Sequence, residues 1–187
     1  MAYFFILFCT LISACPCNVA ANPQQQRYDE AIAKLNQAAT EEQRFYALDK
    51  AAKESFSVGK IEDARNFANE LMKLAEKYAD NWNYGNAIQD ANIVLGRIAL
   101  KKGNINEAKT RLLAAGASPG SPVMDSFGPN MSLASDLLQK GERDTVIKYL
   151  ELCRKFWRSD DGRWKIDQWE KDVRSGDLPD FGPNLIY

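Results

Sequence analysis

The chain contains no histidine. That removes the side chain whose ordinary pKa lies nearest neutrality, and with it the commonest general base and the commonest metal ligand. Net charge is nearly absent as well: 24 Lys and Arg stand against 25 Asp and Glu, so no field of one sign recruits nucleic acid by bulk attraction. Cysteine is scarce in the body of the chain. Of four, Cys9, Cys15 and Cys17 crowd the beginning and Cys153 stands alone, so no disulfide framework can be drawn. A glycine-rich phosphate loop, a nucleophile elbow and a paired-cysteine metal site are all missing. Asp160-Asp161-Gly162 is the most acidic short cluster, but it lacks the alternating ligands and the closing Glu of a calcium-binding loop. No catalytic residue, cofactor or metal is expected, and binding is a better expectation than catalysis.

Cys153 follows Tyr149-Leu150-Glu151-Leu152, where helical spacing sets it beside Tyr149 and Leu150 on an apolar face. It reads as a small buried hydrophobe rather than a reactive thiol.

What is present is apolar: 45% of 187 residues are hydrophobic, enough for a real core in one domain. The run from Ala2 to Ala14 is nearly pure apolar, too short for the roughly 20 residues that span a bilayer and suited to a signal-peptide core. Two cleavage sites compete. Leu11-Ile12-Ser13-Ala14-Cys15 resembles the bacterial lipobox, and cleavage before Cys15 would make that cysteine the site of lipidation and the only tie to a membrane. Val19-Ala20-Ala21 is an ordinary small-residue site, which would end the signal at residue 21 and release the protein into the periplasm or medium. Residues 22–27, with Pro23-Gln24-Gln25-Gln26, are polar without an apolar period and read as a tether.

From Tyr28 onward the apolar spacing is helical. Tyr28, Ile32 and Leu35 open one face, and Phe45, Leu48, Ala52 and Phe56 continue the spacing of three and four. No convincing alternation occurs, so the fold class is all-α. Thr40 before Glu41-Glu42 reads as a helix start, with the acids in the first turn. Gly59, Gly103 and Gly141 each follow a helical run and precede another, the position past a helix end where the backbone turns left-handed. Five residues after each glycine stands a compact apolar residue, Ala64, Ala108 or Val146.

These features resemble the tetratricopeptide repeat. The match is fullest from Ala91 to Ala117: Leu95-Gly96 and Ala99 in the first helix, Gly103 at the turn, then Ala108, Leu112 and Ala115 in the second. Gly96 and Ala108 would let two helices approach closely. Looser versions surround Gly59, with Ala51-Ala52 before it, and Gly141, with Leu133-Ala134 before it. The three glycines are spaced more widely than the roughly 34 residues of a regular repeat. Trp82-Asn83-Tyr84-Gly85-Asn86 and Ser118-Pro119-Gly120-Ser121-Pro122 are expected to absorb the excess. The resemblance implies antiparallel helical hairpins over residues 28–157, stacked as a short solenoid. Residues 158–187, with Trp164, Ile166, Trp169 and Val173 on a helix, are expected to cap its end. Phe127-Gly128-Pro129-Asn130 returns as Phe181-Gly182-Pro183-Asn184, read as a repeated turn whose Phe packs on a neighbouring helix.

The resemblance further implies a concave groove lined by the first helices of the hairpins. Carried over by position, it offers Asp49, Lys50 and Lys53 from one helix and Asp90, Ile93, Arg97 and Lys101 from the next, with Asn86 just before. The expected function is an exported adaptor that grips a protein or peptide partner, with no nucleic acid involved. A second reading is a structural or assembly subunit of a cell-envelope complex that makes contact through Trp157, Trp164 and Trp169. A third, a carboxylate-dependent hydrolase, would need two acids converging in a pocket.

Overall fold

A computed structural model describes residues 22–185. Among them there are nine α-helices and no strand. They are α1 (Pro23–Asn36), α2 (Glu41–Ser57), α3 (Ile61–Lys77), α4 (Tyr84–Lys101), α5 (Ile105–Gly116), α6 (Pro122–Phe127), α7 (Ser132–Leu138), α8 (Arg143–Cys153) and α9 (Asp160–Ser175), followed by a single 3-10 turn at Gly182–Leu185. Consecutive helices pack on one another, α2 with α3, α4 with α5 and α7 with α8, in a solenoid-like all-α arrangement. Along one side α2 packs on α4 and α4 on α7, while α5 packs on α8 behind them, and α9 covers α8 at the far end.

The hairpin turns share one geometry. Gly59, Gly103 and Gly141 have φ of 81°, 81° and 82°, which a residue with a β-carbon resists. In each, the amide after the glycine reaches back five residues, Lys60 N–H to the Ser55 carbonyl at 2.8 Å, Asn104 to Ala99 at 2.9 Å and Glu142 to Leu137 at 3.0 Å. The glycine amide itself bonds three residues back, to Phe56, Leu100 or Leu138. This pair of bonds satisfies carbonyls that a helix end leaves open. Ala64, Ala108 and Val146 are fully buried just beyond. Gly176, which the sequence reading did not single out, ends α9 in the same way, with Asp177 N–H on the Asp172 carbonyl at 2.9 Å.

One expectation is overturned. Residues 23–27, read as a tether, form the opening turns of α1: the Asn22 side chain accepts from Gln24 N–H at 3.0 Å and Pro23 takes the first helical position. Asparagine cap and proline at the first position are both favourable. The turns are polar because they are exposed, and Gln25 and Gln26 bond to Asp29 and Glu30 one turn on; an exposed turn has no apolar period to betray it. Thr40 caps α2 as expected, accepting from Gln43 N–H at 3.1 Å.

Two buried clusters fill the interior. One joins α2 and α3 to one side of α4; the other runs from α4 through α5, α7 and α8 to α9, where the rings of Trp157, Trp169 and Phe181 pack together at tilted and edge-on angles. Cys153 lies fully buried in the second, and burial holds its thiol well above its ordinary pKa. The first turn of α4 meets the linker after α5: Ser118 Oγ donates to the Gly85 carbonyl at 2.7 Å, and a β-carbon on Gly85 would fall 1.9 Å from the Gly120 oxygen.

Gly96 is where three helices converge. A β-carbon there would meet Leu133 Cδ2 of α7 at 2.2 Å and Arg111 Cβ of α5 at 3.0 Å. Leu133 is fully buried and has nowhere to swing. Gly96→Ala is therefore expected to lower stability by about 1–3 kcal/mol through overpacking, despite the better helix propensity of alanine; equilibrium urea unfolding measures it.

Candidate functional site

The helices α2, α4 and the start of α7 leave a groove of about 500 Å³ between them, to whose lining α1 contributes Gln24 and Arg27 and the tail contributes Leu185. Lys53, Phe56, Ile93, Arg97 and Lys101 line it, with Arg27 from α1 and Asn130 and Ser132 from the entrance to α7.

Its floor is an ion pair. Lys53 Nζ lies 3.0 Å from Asp90 Oδ2 and 3.6 Å from Asp49 Oδ2, and the side chains are nearly buried. Burial works against the Lys53 charge, but Asp90 and Asp49 outweigh it and hold the ammonium above its ordinary value of 10.5. Burial raises the Asp90 carboxyl above its ordinary value and Asp49 adds to the effect, while Lys53 and the Asn130 carboxamide pull against it. Asn130 is the hub beside this pair. Its N–H donates to Gln89 Oε1 at 3.0 Å, its carbonyl accepts from the Tyr149 hydroxyl at 2.7 Å, and its Oδ1 accepts from Ser132 N–H and Oγ.

The walls carry cations with capacity to spare. Arg97 Nε donates to Asp136 Oδ2 at 2.7 Å while its guanidinium lies 4.6 Å over the Phe56 ring. Arg27 Nε shares a longer contact, 3.3 Å, with both oxygens of Glu54. The Nη groups of both arginines have no acceptor among the described residues, and neither is Lys101, exposed at the rim, in an ion pair there. Donors of three cations thus remain for a ligand.

Of the groove residues expected from sequence, Lys53, Ile93, Arg97 and Lys101 line the cavity. Asp49 and Asp90 lie behind Lys53 and hold it in place. Lys50 is exposed outside the cavity. Asn86 is engaged elsewhere, donating to Asn83 Oδ1 and accepting from Ser121 Oγ, both at 2.7 Å. Cys15 lies outside the described residues. Sequence reasoning missed Arg27, because residues 22–27 at the start of α1 were read as a tether, and Asn130 and Ser132, because the repeated turn was read chiefly as packing.

That turn does more than pack. Asn184 of the second copy donates from Nδ2 to the carbonyls of Phe127 and Pro129 in the first, at 3.0 and 2.9 Å, and its own carbonyl accepts from Met131 N–H at 2.9 Å. Phe181 packs edge-on against Trp169, as expected. Phe127 does not follow it and is 66% exposed. The tail is thereby fastened across the end of the groove, where Leu185 reaches the lining.

Comparison with known proteins found no matching family model, no matching curated protein and no matching solved structure.

Lys53→Met would leave Asp90 buried without its cation, at a cost of about 3–5 kcal/mol, and most of the loss should return in Lys53→Met/Asp90→Asn, since removing both charges removes the penalty. Folding raises the Lys53 pKa, so the folded protein keeps a proton that the unfolded chain loses above 10.5. This contribution is intact through neutral pH and falls as pH rises past that value. Urea unfolding across an alkaline pH series should show the decline in wild type and a weaker one in the double variant.

Proposed function

We propose that the chain is a protein-binding module of tetratricopeptide-like build, whose groove takes an extended segment of a partner bearing a carboxylate. The observation that carries the reading is the set of uncommitted donors, Arg27 and Arg97 Nη and Lys101 Nζ, around a cavity with Phe56 and Ile93 beside them. Charged hydrogen bonds from guanidinium to carboxylate are stronger than neutral ones and fix orientation. Glu54 in the lining, and Asp136, Asp49 and Asp90 next to it, already face a cation, so selection rests on these particular donors rather than on a field.

The same reading makes the module an exported one, tethered by lipid on Cys15 or released after Ala21. That part rests on the first 21 residues of the sequence, which lie outside the described residues. The alternative of an assembly subunit using a three-tryptophan surface loses support, since Trp157 and Trp169 are 2% and 5% exposed. Of these three, Trp164 alone is open.

The test is a titration of acidic peptides with free or amidated carboxy termini, read by isothermal calorimetry. Lys101→Glu should weaken binding by up to about fivefold, an exposed charge contact being worth up to about 1 kcal/mol, with Lys50→Glu as the neutral comparison from outside the groove. Equal loss in both variants would mean bulk electrostatics, and no loss in either would refute the groove as the binding surface.

A further inference from the structure

A second cavity, of about 220 Å³, lies at the opposite end of the chain between α9 and the tail. Trp164, Gln168 and Asp172 follow one another along α9 at one-turn spacing, Lys165 and Trp169 flank them, and Asp180 to Asn184 form the other wall. Trp164 is 63% exposed, unusual for a large aromatic residue beside a cavity whose other rings are buried.

The hydrogen-bonding state of the wall indicates what the cavity lacks. Lys165 is drawn away to Asp161 at 2.9 Å and lies over the Trp157 ring. Trp169 Nε1 donates to the Asp180 carbonyl at 3.0 Å, and the Asn184 carboxamide is spent on Phe127 and Pro129. Asp172 Oδ1 accepts from Gln168 and Asp180 Oδ1 from Gly182 N–H. The second oxygen of each carboxylate has no donor among the described residues, and neither acid is in an ion pair there. Two negative acceptors and an open indole are left.

We propose that this cavity receives the guanidinium of an arginine on a protein partner, lying against Trp164 and donating to Asp172 and Asp180. A cation is favoured at an aromatic face, tryptophan best of all. Among cations the guanidinium is planar, weakly hydrated and carries several donors in a fixed fork, so one group can serve two carboxylates while it stacks. The protein builds the same arrangement for itself elsewhere, where Arg97 covers Phe56 at 4.6 Å and binds Asp136 at 2.7 Å. A saccharide, the other frequent occupant of an open tryptophan, would be matched by free donors as well as acceptors, and the charged donors here are committed. The site is lined by different residues from the groove, which it adjoins through the tail, and does not depend on a ligand there.

The experiment titrates the full chain with acetyl-Gly-Arg-Gly-amide and with the same peptide carrying citrulline, which has the shape of arginine without its charge. Indole and backbone amide NMR shifts are the readout. The arginine peptide should move the Trp164 indole and the amides of residues 180 to 184 saturably, and the citrulline peptide should bind about tenfold more weakly. Trp164→Ala should cost about fivefold. Asp172→Asn/Asp180→Asn, which keeps the side-chain acceptors that bond Gln168 and Gly182, should cost about tenfold with helical circular dichroism unchanged. Equal binding of citrulline, tighter binding of the control peptide acetyl-Gly-Lys-Gly-amide, saturable binding of cellotriose in its place, or no perturbation at these residues would each overturn the proposal.

Discussion

The structure depends on helix α4 being buried around nearly its whole circumference while carrying Gln89, Asp90 and Asn92 inside that burial. Apolar burial is non-directional and would tolerate many placements of the neighbouring helices. Buried polar groups tolerate few, because each must find a partner at hydrogen-bond distance. Asp90 takes Lys53 from α2; Gln89 takes the Asn130 amide before α7 and lies 3.4 Å from the Tyr149 hydroxyl of α8; Asn92 donates to the Ile88 carbonyl and accepts from Arg111 of α5 at 3.3 Å. Helices from both buried clusters are thereby tied to one central element. Such a network favours one register of the stack, and it makes the loss of a single partner more damaging than the loss of the set.

The groove's chemistry follows from that network. Lys53 is the most central cation of the groove, yet its charge is consumed by Asp90 and Asp49. What remains for a ligand comes from the edges: Arg27 on α1, Arg97 held flat on Phe56, and Lys101 at the rim. Holding Arg97 against a ring and one carboxylate lowers the entropy lost when its other nitrogens engage a partner. Lys101 has no such restraint and contributes mainly through its field.

The hairpins were legible in the sequence because their signals are local: a glycine past each helix end, a compact residue five places on, and the periodicity of three and four. The close approach at Gly96 was legible for the same reason, since only a missing side chain lets α4, α5 and α7 meet. Half of the groove residues named by carrying over the first-helix face, Lys53, Ile93, Arg97 and Lys101, line the cavity, and that face is again a periodic property. What failed was set by contacts distant in sequence. Asp90 of α4 against Lys53, Gln89 and Tyr149 against Asn130, and the Phe127–Met131 turn against Asn184 all come from segments distant in sequence, and no local spacing announces them. Lys50 differs from Lys53 by three residues, nearly one turn, and only the packing of α2 on α4 decides that one faces the ion pair and the other the solvent.

The repeated turn binds the two ends of the molecule into one wall. Asn184 lines the cavity beside Trp164, while Leu185, the next residue, lines the groove. Three hydrogen bonds from Asn184 to the Phe127–Met131 turn hold that wall in place, and each is worth about 0.5–1.5 kcal/mol net. Two sites sharing a wall are coupled only to the extent that a ligand prefers one of two wall positions. With the wall fastened by the side chain and the backbone carbonyl of one residue, occupancy of one site transmits little to the other while Asn184 stays bonded. A partner that displaced the tail would have to break those bonds, so the free energy it could pass between the sites is bounded by their combined strength.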